Sequence, residues 1–186
     1  AVLPPSPARQ LQTQGAIAPA RIADATLLLA DFGRAALGAL AESFHACDEI
    51  FARHGLERVK TSNRRYLAIA GGERGADAAL AAAEELQRYL KDHAATGDAT
   101  ANAVRICIHS GAVETGLVQA EQFNYDAVGD AVDTLHGLAH RTWPADATIL
   151  LTAAAREHLR APPPLVNLAA AAEPAVYALQ PAAPVQ

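Results

Sequence analysis

Residues 56–71 constrain the fold of this chain more than any other stretch. They contain two short runs of β-branched, aromatic and aliphatic residues, separated by the turn-forming residues Ser62 and Asn63. This pattern predicts two strands joined by a tight turn. A segment with helical periodicity ends at Gly55, and another begins near Gly75. A strand pair between two helices is the centre of a split βαβ, ferredoxin-like layout.

The rest of the chain extends this layout into an α+β domain. Residues 25–32 form a continuous apolar run with one carboxylate near its end, which is typical of a buried central strand. Similar patterns predict helices at about 37–54, at 76–93 and at 153–159, and a further helix that ends at about 141. Strands are predicted at 104–109, 113–118, 148–151, 166–168 and 176–179. Residues 113–118 are the predicted hairpin partner of 104–109. The order favours a mostly antiparallel sheet with helices packed on one face.

The predicted domain does not include the two ends of the chain. Residues 1–24 are rich in Pro, Gln and Ala without clear periodicity, so we predict a linker or arm there. The domain then occupies 25–180, and residues 181–186 form a tail. The chain contains no Met, so we expect it to be part of a longer polypeptide or a processed form.

Composition excludes several classes of function. A formal net charge of −5 provides no basic surface for nucleic acid or for an anionic membrane. No apolar run is long enough for a membrane span. Cys47 and Cys107 fit buried positions in a reducing compartment, with a disulfide between them left open. We therefore expect a cytoplasmic domain, either free or as the cytoplasmic part of a larger, membrane-attached protein.

Four short motifs follow one another along the chain. They are Ala-Asp-Phe at 30–32, Lys-Thr-x-x-x-x-Tyr-x-Ala-x-Ala-Gly from Lys60, Val-Arg-Ile-Cys-Ile-His-Ser-Gly-Ala-Val at 104–113, and Tyr-Asp-Ala-Val-Gly-Asp-Ala-Val-Asp at 125–133. In this order they resemble the motifs of class III nucleotidyl (adenylate/guanylate) cyclase domains. The resemblance covers roughly residues 26–159 and implies a cyclase homology domain. It also implies a head-to-tail dimer with active sites at the interface.

The same resemblance implies that the catalytic positions are altered. In the family, two carboxylates hold two metal ions that promote cyclisation of a nucleoside triphosphate. Asp31 matches the first carboxylate, whereas Arg64 stands where the second is expected, and a guanidinium cannot bind a cation. The family's Asn and Arg, which stabilise the transition state, correspond to Asp133 and Gly137. We therefore expect an inactive site without a cofactor, with Mg²⁺ or Mn²⁺ only if a nucleotide binds.

Lys60 and Asp126 match the pair that distinguishes adenine in adenylate-specific members of the family. A Lys donor and a carboxylate acceptor suit the N1 acceptor and the exocyclic amine of adenine. The alternative is that Lys60 is a surface residue of a strand and that Asp126 caps the turn into the third helix.

Other polar residues are weaker candidates. His136 and His140 are four residues apart on a predicted helix and could share a metal ion, or they could face solvent or an interface. Asp48 and Glu49 fit a solvated pair on the polar side of a helix. His109 lies in a strand pattern and fits a structural role better than a catalytic one.

The predicted function is therefore that of a degenerate, non-catalytic cyclase homology domain. It would act by forming a homodimer, or by pairing with another cyclase-like domain, within a larger signalling protein. Two alternatives are an active adenylate cyclase that forms cyclic AMP at an altered site, and a non-catalytic sensor that binds an adenine nucleotide through Lys60 and Asp126.

Overall fold

A computed structural model of the protein describes residues 5–33, 35, 37–93, 104–119, 124–144, 147–168 and 175–179. Its elements are α1 (Pro5–Gln14), β1 (Ala20–Asp31), α2 (Leu37–Arg53), β2 (Glu57–Ser62), β3 (Arg65–Gly71), α3 (Gly75–Asp92), β4 (Arg105–Gln119), β5 (Asn124–Val128), α4 (Asp130–Ala139), β6 (Ile149–Thr152), α5 (Ala153–Glu157), β7 (Leu165–Asn167) and β8 (Val176–Leu179). From β1 onward the alternation of helices and strands is as predicted, except that the strand predicted at 113–118 is part of β4 and β5 was not predicted. Within these ranges, no helix has the length and apolar character needed to cross a membrane.

The strands form one mixed, mostly antiparallel sheet, which confirms the predicted fold class. Its order is β2-β3-β1-β4-β6-β8-β7, and β5 pairs with β4 outside this path. The described strand pairs are antiparallel except for β4 with β6. β1 therefore lies between β3 and β4, in the interior of the sheet.

Helices pack on both faces of this sheet, whereas the sequence predicted one face. Leu28 and Ala30 of β1 join a core that is covered by α2, α3 and α5. The alternate residues Leu27 and Leu29 join a second core, which is covered by α4. Because successive side chains of a strand point to opposite faces, an unbroken apolar strand requires cover on both sides.

β4 also differs from the prediction, because residues 113–118 continue the strand instead of returning beside 104–109. The true hairpin partner is β5, which pairs Glu114 with Val128. The prediction treated Gly111 as a strand break, but this glycine is paired within the sheet and opposes Ala25 of β1. A Cβ on Gly111 would lie 3.1 Å from the Cβ of Ala131, so the glycine allows α4 to pack closely.

The segment predicted as a linker or arm contains regular structure. Residues 5–14 form α1, and β1 begins at Ala20. Pro5 and Pro7 lie in the first turn of α1, where the missing backbone N–H of proline needs no partner. Pro7 is buried, and the Ser6 hydroxyl donates a hydrogen bond to Glu57. The tail at 181–186 lies outside the described residues, and the division of the chain at residue 25 stays a prediction.

Candidate functional site

Asp31 ends β1 with both carboxylate oxygens already in use. Arg65 is its register partner on β3 and donates from Nε to Oδ2 at 2.8 Å. The backbone N–H of Gly33 donates to Oδ1 at 2.9 Å. The side chains of Asp31 and Arg65 are only 18% and 25% exposed, so water competes weakly for this ion pair. The carboxylate that matches the family's first metal ligand therefore has a protein cation as its partner.

Arg64 lies beside this pair, at the tip of the β2–β3 hairpin. Asn63 precedes it with a φ of 53°, a left-handed turn conformation that asparagine tolerates. The side chain of Arg64 turns back, and its Nε donates to the carbonyl oxygen of Ala35 at 3.1 Å. Arg64 thus binds the loop after Asp31, while its neighbour Arg65 neutralises Asp31. Sequence reasoning singled out Arg64 and missed Arg65, which only the strand register identifies.

Lys60 and Asp126 are brought together, as the proposed adenine-binding pair requires. Nζ of Lys60 donates to Oδ2 of Asp126 at 2.6 Å, which connects β2 to β5. The two side chains are 32% and 17% exposed. The helix-capping alternative for Asp126 is wrong, because α4 begins after Gly129 without a side-chain cap. Asp126 instead accepts from the N–H of Ala127 at 2.8 Å.

α4 places two histidines near these cations. Burial lowers the pKa of His136, and the charges of Arg65, Lys60 and His140 lower it further, against a smaller opposing effect of Asp133. Both terminal nitrogens of Arg65 lie 3.4 Å from Nε2 of His140, which must accept because a guanidinium has only donors.

The other two family positions on α4 face solvent. Asp133 is exposed, and so is Gly137, where an added Cβ would meet nothing within 4 Å. α4 thus presents a carboxylate and a bare backbone at the places expected to stabilise a transition state.

Trp143, the only tryptophan of the chain, lies near Asp31, so its fluorescence can be used to detect changes around this carboxylate. Arg105 is the register partner of Asp31 on β4, and its guanidinium carbon lies 5.6 Å from the centre of the Trp143 ring. A ligand that moves Asp31 or Arg105 should therefore change the fluorescence of Trp143.

The remaining candidates have structural partners. Asp48 was predicted to be solvated, but it accepts a hydrogen bond from the hydroxyl of Tyr66 at 2.5 Å and two from Arg58 at 3.1 Å. The reason is that this side of α2 faces the β2–β3 hairpin. His109 bonds through Nδ1 to the hydroxyl of Thr152 at 2.8 Å, and burial lowers its pKa.

Comparison with known proteins places this geometry in a family. The sequence model described as the Adenylate and Guanylate cyclase catalytic domain matches residues 11–160. The chain belongs to this family. An adenylate cyclase of Mycobacterium tuberculosis (strain ATCC 25618 / H37Rv) is 33% identical over 93 residues, which is 48% of this chain and 21% of the relative. The match therefore spans about a fifth of the length of that relative.

Solved cyclase structures share the fold. A bacterial light-regulated adenylyl cyclase aligns with a TM-score of 0.75 and 21% identity, over 93% of this chain and 58% of that one. A guanylyl cyclase domain of the RhoGC fusion protein from Blastocladiella emersonii, described as a non-canonical dimer, aligns with a TM-score of 0.72 and 18% identity, over 87% of this chain and 96% of the other.

The residues of this cyclase domain do not fit the metal ions that the resemblance implied. Asp31 is bound to Arg65, and Arg64 adds a second positive charge beside it. Among the residues that the structure describes, no group of three or more His, Cys, Asp and Glu side chains could hold a metal ion. The pair His136 and His140 therefore has no third ligand of these types there.

Proposed function

We propose that this chain is a non-catalytic cyclase homology domain that acts by contact with a second cyclase-like domain, either another copy or a different chain, in a larger signalling protein. The observation that carries the proposal is the ion pair between Asp31 and Arg65. Two divalent cations need carboxylate oxygens, and here the matching carboxylate is neutralised before any metal arrives. A metal ion would have to displace a guanidinium that is mostly excluded from water.

The rest of the site supports the same conclusion. Arg64 would repel a cation at the second metal position, and Asp133 would repel the phosphates of a nucleotide. Gly137 offers no side-chain donor to developing negative charge. A partner domain would not restore the site, because this chain supplies neither a complete set of carboxylates nor the donors on α4.

Two observations support a role in contact. The structural relatives include a cyclase domain described as a non-canonical dimer, and the same domain is also described as a monomer. On the β4–β5 hairpin, Val118 and Val128 are 61% and 52% exposed. When a partner covers exposed aliphatic side chains of this kind, their removal from water stabilises the complex. The homodimer is therefore the first assembly to test.

A second candidate function is adenine-nucleotide binding without turnover. The contact between Lys60 and Asp126 supports it, because both side chains that would read the base are already adjacent. Their mutual ion pair opposes it, since an incoming base must replace that pair with its own hydrogen bonds. Binding by this route should therefore be weak and selective for adenine.

The test titrates the purified domain with ATP and with GTP, with and without Mn²⁺, by calorimetry and by Trp143 fluorescence, while cyclic nucleotide is assayed. We expect no cyclic product and no binding of Mn²⁺ alone. A matched variant, Arg64→Asp with Arg65→Ala, supplies a second carboxylate and releases Asp31, so it should gain Mn²⁺ binding. Cyclic AMP formed by the unmodified domain would overturn the proposal.

The contact itself is tested by sedimentation velocity. We expect a concentration-dependent dimer that is weakened by Val118→Asp, and we expect Glu49→Gln, on exposed α2 surface, to leave it unchanged. A monomer at every concentration would exclude the homodimer. Adenine-selective binding that disappears in Lys60→Ala, without product, would favour the sensor function.

A further inference from the structure

A pocket of about 310 Å³ lies between α1 and the sheet, and we call it the α1 pocket. Pro7 and Gln10 of α1 line it together with Ile22 of β1 and Ile69 of β3. The pocket lies at the other end of β1 from Asp31. Asp31 lies nine residue steps after Ile22 along β1, so the distance is roughly 30 Å. The ion pairs Asp31–Arg65 and Lys60–Asp126 contribute no residue to the lining of the α1 pocket, although Tyr125 is the neighbour of Asp126 on β5.

The apolar part of the α1 pocket is well buried. Pro7 and Ile17 are buried, Ile69 is 8% exposed, and Ile22 packs against the core that α4 covers. The hydrogen bond from Ser6 to Glu57 joins α1 to β2 at the rim. The helix is thus a wall of the pocket, and it is attached to the sheet beside a carboxylate.

The polar part of the α1 pocket carries negative charge. Glu57 is the charged residue among those lining it, and no Lys, Arg or His side chain lines it within the described parts of the chain. Thr115 and Tyr125 add hydroxyl groups. Burial raises the pKa of the Tyr125 hydroxyl, and the negative charge of Glu57 raises it further, while a hydrogen bond with Thr115 lowers it. Tyr125 therefore stays neutral at physiological pH and close enough to Glu57 to sense its charge.

We infer that the α1 pocket binds a small organic cation, an amine with a compact apolar body. The ammonium group would pair with Glu57, and the body would lie against Ile22, Ile69 and Pro7. The volume lies at the lower end of the range for ligand pockets, which favours a single-ring compound over a nucleotide. The carboxylate repels anions, and a neutral compound would leave the charge of Glu57 without a new partner.

Such a ligand would act on the N-terminal segment. Because α1 contributes one wall, a bound amine stabilises α1 against the sheet by its binding free energy. Ligand concentration would then control whether the segment before β1 is docked. The inference assigns a small-molecule input to the end of β1 opposite Asp31.

The test uses benzylamine as the probe, with benzyl alcohol and phenylacetate as neutral and anionic compounds of similar size. Calorimetry and thermal unfolding of the full chain should show saturable binding of benzylamine and much weaker binding of the other two. Glu57→Gln keeps an acceptor for Ser6 but removes the charge, so it should weaken benzylamine about tenfold. Glu49→Gln removes the same charge from an exposed position on α2 and should change nothing.

Two variants fill the α1 pocket and separate binding from folding. Ile69→Phe fills it from the sheet, and Ala18→Phe fills it from an exposed position, so Ala18→Phe should fold even if the first variant does not. Both should abolish benzylamine binding. The inference is wrong if benzylamine does not saturate, if phenylacetate binds equally well, or if folded Ala18→Phe binds benzylamine like the unmodified chain.

Discussion

Tyr66→Phe should measure how strongly the β2–β3 hairpin is held to α2. The Tyr66 side chain is completely buried, and its ring makes edge contacts with Phe44 and Phe51 at centroid distances of 5.7 and 5.3 Å. Its hydroxyl donates to Asp48 at 2.5 Å. Phenylalanine keeps the ring contacts and removes only this bond. Hydrogen bonds to charged groups contribute about 1.5–3 kcal/mol.

The expected loss lies at the lower end of that range. The Asp48 side chain is 42% exposed and keeps its two bonds to Arg58, so water and Arg58 compensate in part. We expect Tyr66→Phe to lower the free energy of unfolding by about 1.5 kcal/mol at neutral pH.

The difference should also depend on pH. Burial raises the pKa of Tyr66 well above its usual value, and the hydrogen bond and charge of Asp48 add to this effect, against Arg58. An unfolded tyrosine loses its proton near pH 10, whereas folded Tyr66 keeps its proton at that pH. The contribution of Tyr66 is therefore complete below about pH 10 and is lost above it by up to about 1.4 kcal/mol per pH unit. The two proteins should become equally stable near about pH 11.

Urea unfolding followed by circular dichroism, at neutral pH and at several pH values up to about 11, tests both expectations. Cys47, Cys107 and Tyr125 also have raised pKa values, but they are present in both proteins and cancel in the difference. Equal stability at neutral pH would refute the hydrogen-bond argument. A difference that stays constant through the alkaline range would refute the titration argument.

Three further predictions concern the site and its surroundings. Lys60→Ala should lower the free energy of unfolding by about 0.5–1 kcal/mol, because the ion pair between Lys60 and Asp126 is partly exposed. In a double-mutant cycle, adding Asp126→Asn to Lys60→Ala should lower it little further. Gly111→Ala should cost about 1–2 kcal/mol, since its Cβ would lie 3.1 Å from Ala131 and 3.2 Å from the ring of His109; an unchanged Tm would contradict this. Because the pKa of His109 is lowered in the folded state, His109 of the unfolded chain binds a proton at a higher pH than His109 of the folded chain. The free energy of unfolding should therefore decrease as the pH falls below about 6.5. His109→Gln should flatten that acid limb in urea titrations, and an identical limb would show that other groups cause it.

The fold could be predicted well where hydrophobic periodicity reports burial directly. The alternation and turn residues of the β2–β3 hairpin depend on local chemistry, and the motifs around it placed the remaining strands in order. α1 could not be predicted in this way, because its prolines resemble those of a linker. The continuation of β4 was hidden by Gly111, whose role depends on α4, an element distant in sequence.

The sequence could indicate which residues to consider for the candidate site, but not which of them contact each other. Motif matching selected Asp31, Lys60 and Asp126 as site candidates, and their roles stay a prediction. It could not show that Asp31 pairs with Arg65 and that Lys60 pairs with Asp126, since both contacts depend on three-dimensional strand placement. Adjacent hairpin residues point in different directions, so the choice between Arg64 and Arg65 as the partner of Asp31 required the observed register.

The altered family positions are separate from the two buried cores, and this separation has an evolutionary consequence. Arg64, Asp133 and Gly137 all lie at exposed positions, whereas the residues that hold the sheet and helices together are buried behind them. Substitutions at such exposed positions usually change stability by less than about 0.5 kcal/mol. A lineage can therefore exchange these residues one at a time without ever passing through an unstable ancestor. These three positions, together with the partly exposed Arg65, form a small library in which cyclase activity can be sought.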